Sequence, residues 1–331
     1  MPDRGTIICG EAFFCSSLAT ILSIEQQKLI SRERCPVAYL FESELYRIKP
    51  LPEATLLGMI PRHCRLILDM DGMYNPVLKL DGYDFNHPDK ASRARWFEFY
   101  DALADRVAKP TLAPPDHPRV SPMIFYGYDR ALEIDPATAP PKHYDILHVG
   151  HNWWRWKEVA GELLPAFEQI RDQVGEIGFI GLWWDGPPVE GPEAGPAEAF
   201  ECDPATFRRL KSEASTAVMY SDVVRTMSTA RINIFTQRPG LHHLKRLTLK
   251  YFEIFYADTI PLLMLDADLA VAVYGPAARE LVLKARVAGK LLDALARPDH
   301  YRGVVEDVRR HLAANYSYDQ RVRELVTALR D

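Results

Sequence analysis

Strand-like and helix-like segments alternate along nearly the whole chain, and this alternation limits the fold more than any other feature. "TIIC" (6–9), "VAYLFE" (37–42), "RLILDMD" (65–71) and "PMIFYGY" (122–128) are short apolar, β-rich runs. Between them, residues 17–30 have helical spacing. Residues 90–108 place Trp96, Tyr100, Leu103 and Val107 on one helical stripe. "DPATAPPK" (135–142) breaks the pattern and reads as a linker, being rich in Pro and Ala without periodicity. The alternation then restarts. "YDILHVGHN" (144–152), "EIGFIGLWW" (176–184), "INIFT" (232–236) and "IPLLML" (260–265) are strands. Helices are expected over 156–174, around 204–214 and 221–230, from 245, and through the tail from about 280. Residues 185–198 read as a long surface loop. Repeated strand–helix–strand units build a mostly parallel sheet covered on both faces. The expected fold is α/β: two Rossmann-like domains, residues 1–140 and 141–331, facing across a cleft and meeting near 135–145.

A chain of 331 residues is long enough for two cores. Its formal net charge of -5 supplies no global basic field, so no nucleic-acid partner is expected. The five cysteines form no CxxC pair, and their odd number argues against a disulfide framework. No apolar run reaches the ~18 residues needed to span a bilayer. The N-terminus lacks the charged-then-apolar layout of a secretory signal. The expectation is a cytoplasmic protein without a transmembrane segment. GxxxxGK[ST], HExxH and GxSxG are all missing from the sequence.

In open α/β sheets, ligands bind beyond the C-terminal ends of the strands, where helix N-termini point. Two loops of the second half have this position. "VGHNWWRWK" (149–157) carries Gly150, Asn152, Arg155 and Lys157. "TQRPGLHHLKR" (236–246) carries Gly240, Leu241, His242, Lys245 and Arg246. Each offers a glycine for close backbone approach and cations for an anion. A diphosphate between them would meet backbone N–H groups and charge-assisted donors together. The positive charge at 245–250 otherwise opposes the dipole of a helix starting there. On such a helix Arg246, Lys250 and Glu253 share one face at i, i+4 and i+7. Glu253 is then placed to accept hydrogen bonds from ribose hydroxyls. The plain reading is a solvated i,i+3 ion pair of Lys250 and Glu253, worth only ~0.2–0.5 kcal/mol.

The run "STARINIFTQRPG…LKYFEIFYADTIPLLML" resembles the donor-binding segment of glycosyltransferases with the two-domain GT-B fold, in the group-1-type branch that includes the spore-maturation CgeB-like proteins. Lys250, Phe252, Glu253 and the strand 260–265 carry the likeness. The tail "DHYRGVVEDVRRHLAANYSYDQRVRELVTAL" and the strand "YDILHVGHNWWRW" are similar to the same branch. The likeness spans residues 144–330 and is weak before them. Where many relatives of the wider group have an earlier glutamate near the donor sugar, this chain has Lys245.

The resemblance implies transfer of a sugar from a nucleotide-diphosphate sugar, with retention of configuration and without metal or other cofactor. It implies that Arg155, Lys250 and Arg246 meet the diphosphate, Glu253 the ribose, and Gly240 with Leu241 the sugar by backbone; Gly150, Asn152 and His242 complete the donor site. The acceptor, a small molecule or glycan, would sit against the N-terminal domain, with His63 and His87 as general-base candidates by residue type. "DMD" (69–71) matches a metal-holding Asp-x-Asp, but Asp69 and Asp71 are read as a strand end and turn. The Trp-rich runs "NWWRW" and "GLWWDG" are read as core for at least half of the six Trp, the rest as a sugar platform. The alternatives are a non-catalytic nucleotide-sugar or glycan-binding module of this fold and a nucleotide-sugar epimerase.

Overall fold

A computed structural model describes residues 6–10, 37–41, 65–69, 79–80, 83–84, 101, 104–114, 118–186 and 197–330. The helix expected over 17–30, the 90–100 part of the next one, most of the loop 185–198, and Trp96, His63, Asp71 and His87 lie outside them.

The chain divides into two compact units. The first comprises Met1–Gly127, Leu244–Thr248 and Tyr318–Asp331; the second comprises Tyr128–His243 and Leu249–Ser317. By packing, the divide thus falls ahead of the Pro-rich linker, and two later segments belong with the first unit.

In the first unit, strands β1 (Thr6–Gly10), β2 (Val37–Phe41), β3 (Arg65–Asp69), β6 (Arg106–Lys109) and β7 (Val120–Pro122) form a parallel sheet in that order. Two short strands, β4 (Lys79–Leu80) and β5 (Tyr83–Asp84), pair antiparallel beside it in sequence. Val107 was expected on a helical stripe but lies in β6, with Ala108 and Lys109 buried around it. The strand expected over 122–128 ends at Pro122.

In the second unit, the sheet is β8 (Tyr144–Val149), β9 (Ile177–Ile180), β10 (Glu213–Ser215), β11 (Ala230–Phe235) and β12 (Ile260–Leu263), all parallel. Its spatial order is β10-β9-β8-β11-β12. In the unit's own count this is 3-2-1-4-5, the doubly wound order whose direction reverses between its first and fourth strands. The central strands are nearly continuous apolar runs because both faces are covered. Pro261 is tolerated because β12 lies at the sheet's edge. β10 replaces the end of the helix expected over 204–214.

The helices follow in chain order. α1 (Trp156–Glu158) passes through a π-helical turn (Val159–Leu163) into α2 (Leu164–Ile170). α3 (Pro204–Arg209) and α4 (Val223–Met227) flank β10 in sequence. α5 (Pro239–His243) and α6 (Lys250–Tyr256) follow β11. α7 (Ala267–Tyr274), α8 (Val287–Ala296), α9 (Pro298–Asn315) and α10 (Tyr318–Arg330) close the chain. α10 belongs to the first unit, where Leu325 packs with Leu66, Leu68 and Ala108. Arg321 donates to the Ile124 carbonyl at 3.1 Å. Among the described residues no helix is long and apolar enough to cross a membrane.

Candidate active site

The site is built at the reversal point of the second sheet, from the loops after β8 and β11 and the start of α6. β8 ends at Val149, and Gly150 turns the chain with φ 151°, a conformation that side chains disfavour. A Cβ at Gly150 would stand 2.7 Å from the Lys250 ammonium nitrogen and 3.4 Å from His148 Nε2. Glycine at 150 therefore leaves room for Lys250. The Lys250 ammonium donates to the Val149 carbonyl. Arg155, at the start of α1, donates from Nη1 to the His151 carbonyl. Two cationic heads thus bracket the main chain of Gly150.

The loop holding these groups is clamped. Asn152, fully buried, donates to the carbonyls of Trp183 (3.0 Å) and Glu201 (2.9 Å). Trp184 Nε1 donates to the Gly150 carbonyl at 2.8 Å. Trp154 and Trp183 take positive φ, 59° and 69°. For so bulky a residue this is a strained backbone, and such strain gathers where loops are held for function. Trp154, Trp156 and Trp184 are buried packing. Trp153 and Trp183 are half-buried and meet edge-on at 6.4 Å. Arg238 lies over the Trp153 ring at 5.0 Å.

The electrostatics of this cluster are dominated by its cations. Burial and the Arg155 charge lower Lys250 to about 7, while Glu253 opposes them. Burial and Arg238 lower Arg155 to about 9, so it remains a cation at neutral pH. His151 is drawn down to about 4 by desolvation of its ring and then by Arg155, Lys250 and Arg238. His148 is pushed well below the usual imidazole range by burial, then by Lys250 and Arg155. Its Nδ1 lies 3.0 Å from the Ile234 carbonyl, so the neutral ring carries its proton there. Arg155 thus disfavours the charge on Lys250, and Arg238 that on Arg155, and an anion between them would stabilise these cations.

Several polar atoms of the same loops are buried without a hydrogen-bond partner: His148 Nε2, Asn152 Oδ1, Trp153 Nε1, Arg155 Nε, Glu158 Oε2 and Thr236 Oγ1. Native proteins pair most buried polar groups, and a group of exceptions calls for a ligand or water.

The other expected site residues divide. Glu253 lies in the first turn of α6 and is buried, three residues after Lys250. Gly240 is buried in α5 with Leu241 beside it. His242 Nε2 meets the Asp266 carboxylate at 2.7 Å. Arg246 belongs to the first unit, in the segment Leu244–Thr248. α6 begins at Lys250, and the residues before it belong to the first unit, where Leu247 N–H donates to the Pro110 carbonyl at 2.7 Å. There the buried Arg246 guanidinium meets the Asp69 carboxylate at 3.6 Å and donates to the Asp69 carbonyl. The shared face of Arg246, Lys250 and Glu253 is therefore corrected, because the helix does not reach back to 246. Asp69 is held by an arginine at the end of β3. Sequence reasoning did not single out His148, His151, Arg238 or Glu158. The flanking Gly150 and Arg155 were the signal that could have drawn them in.

No family profile and no curated protein sequence matches the chain. Solved structures do. One is T4 phage BGT in complex with UDP and Mn2+, 10% identical, with a TM-score of 0.51 over 92% of this chain and 86% of that one. T4 phage BGT with its UDP-glucose substrate is 11% identical, with a TM-score of 0.52 over 87% and 79%. An alpha-glucosyltransferase in complex with UDP-glucose and DNA containing an abasic site is 10% identical, with a TM-score of 0.52 over 93% and 83%.

The chain has the GT-B fold.

In the GT-B fold of this chain the cation cluster occupies the reversal point of the second Rossmann-like unit. One expectation is corrected by the comparison. The donor site was expected to need no cofactor, yet one solved GT-B structure similar to this chain contains Mn2+ together with UDP. A metal-free donor site is not dictated by the fold, and that expectation is withdrawn.

Proposed function

We propose that this protein is a glycosyltransferase whose second unit binds the diphosphate of a nucleotide sugar at Arg155, Lys250 and the backbone of Gly150. The observation that carries this reading is the pair of cations bracketing Gly150 at the sheet's reversal point, with Lys250 disfavoured by Arg155 and Arg155 by Arg238. In the reaction, the bond between the anomeric carbon and the diphosphate oxygen breaks. The nucleoside diphosphate leaves with the electron pair, an acceptor hydroxyl oxygen forms the new bond, and its proton is released. Negative charge develops on the leaving diphosphate, where fixed cations stabilise the transition state more than the ground state. Arg155 and Lys250 perform that role. Glu253 meets the ribose, and the half-buried Trp153 and Trp183 offer apolar faces beside the site. Retention of configuration enters this reading from the motif resemblance, as does the CgeB-like branch.

The test is incubation with a panel of nucleotide sugars. Release of nucleoside diphosphate, lost in Arg155→Met and Lys250→Met, supports transfer. Binding without release indicates a non-catalytic module, and interconversion of sugars an epimerase. The acceptor panel comprises small glycans and, because one similar solved enzyme is in complex with DNA, duplex DNA. Failure of the wild-type protein to bind any nucleoside diphosphate overturns the proposal.

A further inference from the structure

Two helices of the second unit open with the same device, a cation followed three residues later by a carboxylate. Arg155 caps the start of α1 and Glu158 is its last residue, while Lys250 and Glu253 lie in the first turn of α6. The spacing puts each pair on one helix face. The two cations come together, because Lys250 is bonded to the Val149 carbonyl and Arg155 to the His151 carbonyl, on either side of Gly150. Lys250 feels Arg155 and Glu253, whereas Arg155 feels Arg238 and Glu158. The sequence of charges through the site is therefore Glu253, Lys250, Arg155, Glu158: negative, positive, positive, negative. A nucleotide sugar has the complementary sequence of ribose hydroxyls, two phosphates and sugar hydroxyls.

Glu158 has no part in the reading above, yet it is poorly explained as an ordinary surface carboxylate. Oε1 lies 3.4 Å from the Lys284 ammonium, which Glu162 also approaches at 3.7 Å. Oε2 is buried and has no hydrogen-bond partner. Burial raises the carboxyl above its usual range, Lys284 lowers it, and Glu162 raises it again. His242, fixed by Asp266, lies within electrostatic reach. A carboxylate oxygen kept from water gains most from hydroxyl donors brought by a ligand.

From this arrangement the geometry points to Glu158 as the residue that recognises the hydroxyls of the transferred sugar, accepting hydrogen bonds at Oε2 while Lys284 holds Oε1. The inference rests on the nucleotide-sugar reading of the same site. It supplies a sugar-side carboxylate from α1, in a chain whose residue 245 is a lysine placed in the first unit.

The experiment compares titrations of UDP and of UDP-glucose, with other nucleotide sugars as further probes, against the wild-type protein and Glu158→Gln. Glu158→Gln keeps the shape and removes the charge. The expected result is an affinity for the preferred nucleotide sugar lowered at least ~tenfold, with the affinity for the matching sugarless diphosphate within about twofold of wild type. Retained diphosphate binding shows that the variant is folded. Equal loss for both ligands, or no loss for either, overturns the assignment. If the wild-type protein binds no nucleoside diphosphate, the functional reading falls and this assignment falls with it.

Discussion

The Lys250 ammonium donates to the carbonyl of Val149, tying the first residue of α6 to the last residue of β8. The bond brings a lysine from one helix to the turn of another loop and leaves it half-buried near Arg155. Lys250 accordingly titrates at about 7. A nucleotide sugar keeps a constant charge over the neutral range, because its diphosphate has no second proton to lose there. Binding such an anion raises Lys250 and draws in a proton above about pH 7. Affinity should be full below that pH and fall as pH rises through the range between the free and bound values. Calorimetric titrations from about pH 6 to about pH 9 check this. Lys250→Arg, which stays charged throughout, should flatten the profile. An affinity independent of pH in the wild-type protein would count against the assignment of Lys250.

Arg155 disfavours the charged form of Lys250 in the free protein, so function and stability should separate. Arg155→Met is expected to weaken nucleotide-sugar binding at least ~tenfold, the loss of one charge-assisted bond or more. Without ligand its melting temperature should be unchanged or higher, since removing the half-buried Arg155 cation relieves Lys250. The pH profile of Lys250 should also move upward. A large drop in melting temperature would mean that Arg155 is chiefly structural.

The strands were legible because buried parallel strands are short apolar runs whatever surrounds them. β8, β9, β11 and β12 follow that rule. β10, "EAS", does not, because it is a half-exposed edge with no apolar pattern. The start of α6 was not legible either. Lys245 takes φ 48° and interrupts the helix, although lysine gives no local sign of a break. The cause is distant in sequence: Thr111 Oγ1 donates to the Leu244 carbonyl at 2.6 Å, and Leu247 N–H to the Pro110 carbonyl. Gly150, Arg155, Lys250 and Glu253 were visible as residue types at strand ends and helix starts. The neighbours that set their charge state, His148, His151, Arg238 and Glu158, became visible only once β8 and β11 lay side by side.

Arg246 gives the opposite expectation from Arg155. It is almost fully buried, and its carboxylate partner Asp69 is equally so. Removing one member of a buried pair takes the counter-charge from the other, which costs ~3–5 kcal/mol. Arg246→Met should therefore lower the stability of the first unit by roughly that amount, read from denaturant unfolding. The affinity of the folded protein for nucleoside diphosphate should be unchanged. Replacing Asp69 by Asn in the same chain should restore part of the loss. Lost nucleotide affinity in a well-folded Arg246→Met protein would make Arg246 a donor-site residue.

Glu253 lies buried in the first turn of α6, three residues after Lys250. If its carboxylate accepts hydrogen bonds from both ribose hydroxyls, the effect of changing it must depend on those hydroxyls. Glu253→Gln preserves shape and weakens two charge-assisted bonds, each worth roughly 1.5–3 kcal/mol, so affinity for a ribonucleoside diphosphate should fall at least ~tenfold. The 2′,3′-dideoxy analogue should lose much less affinity in the variant, only what the altered charge on Lys250 costs, because it brings no hydroxyls to lose. This comparison also separates ribose recognition from the charge effect of Glu253 on Lys250, since removing that charge would weaken the grip on phosphate for both ligands. Equal losses for the two nucleotides would make Glu253 a partner of Lys250 alone. A much larger loss for the ribonucleotide would place the ribose at the Glu253 end of the charge sequence.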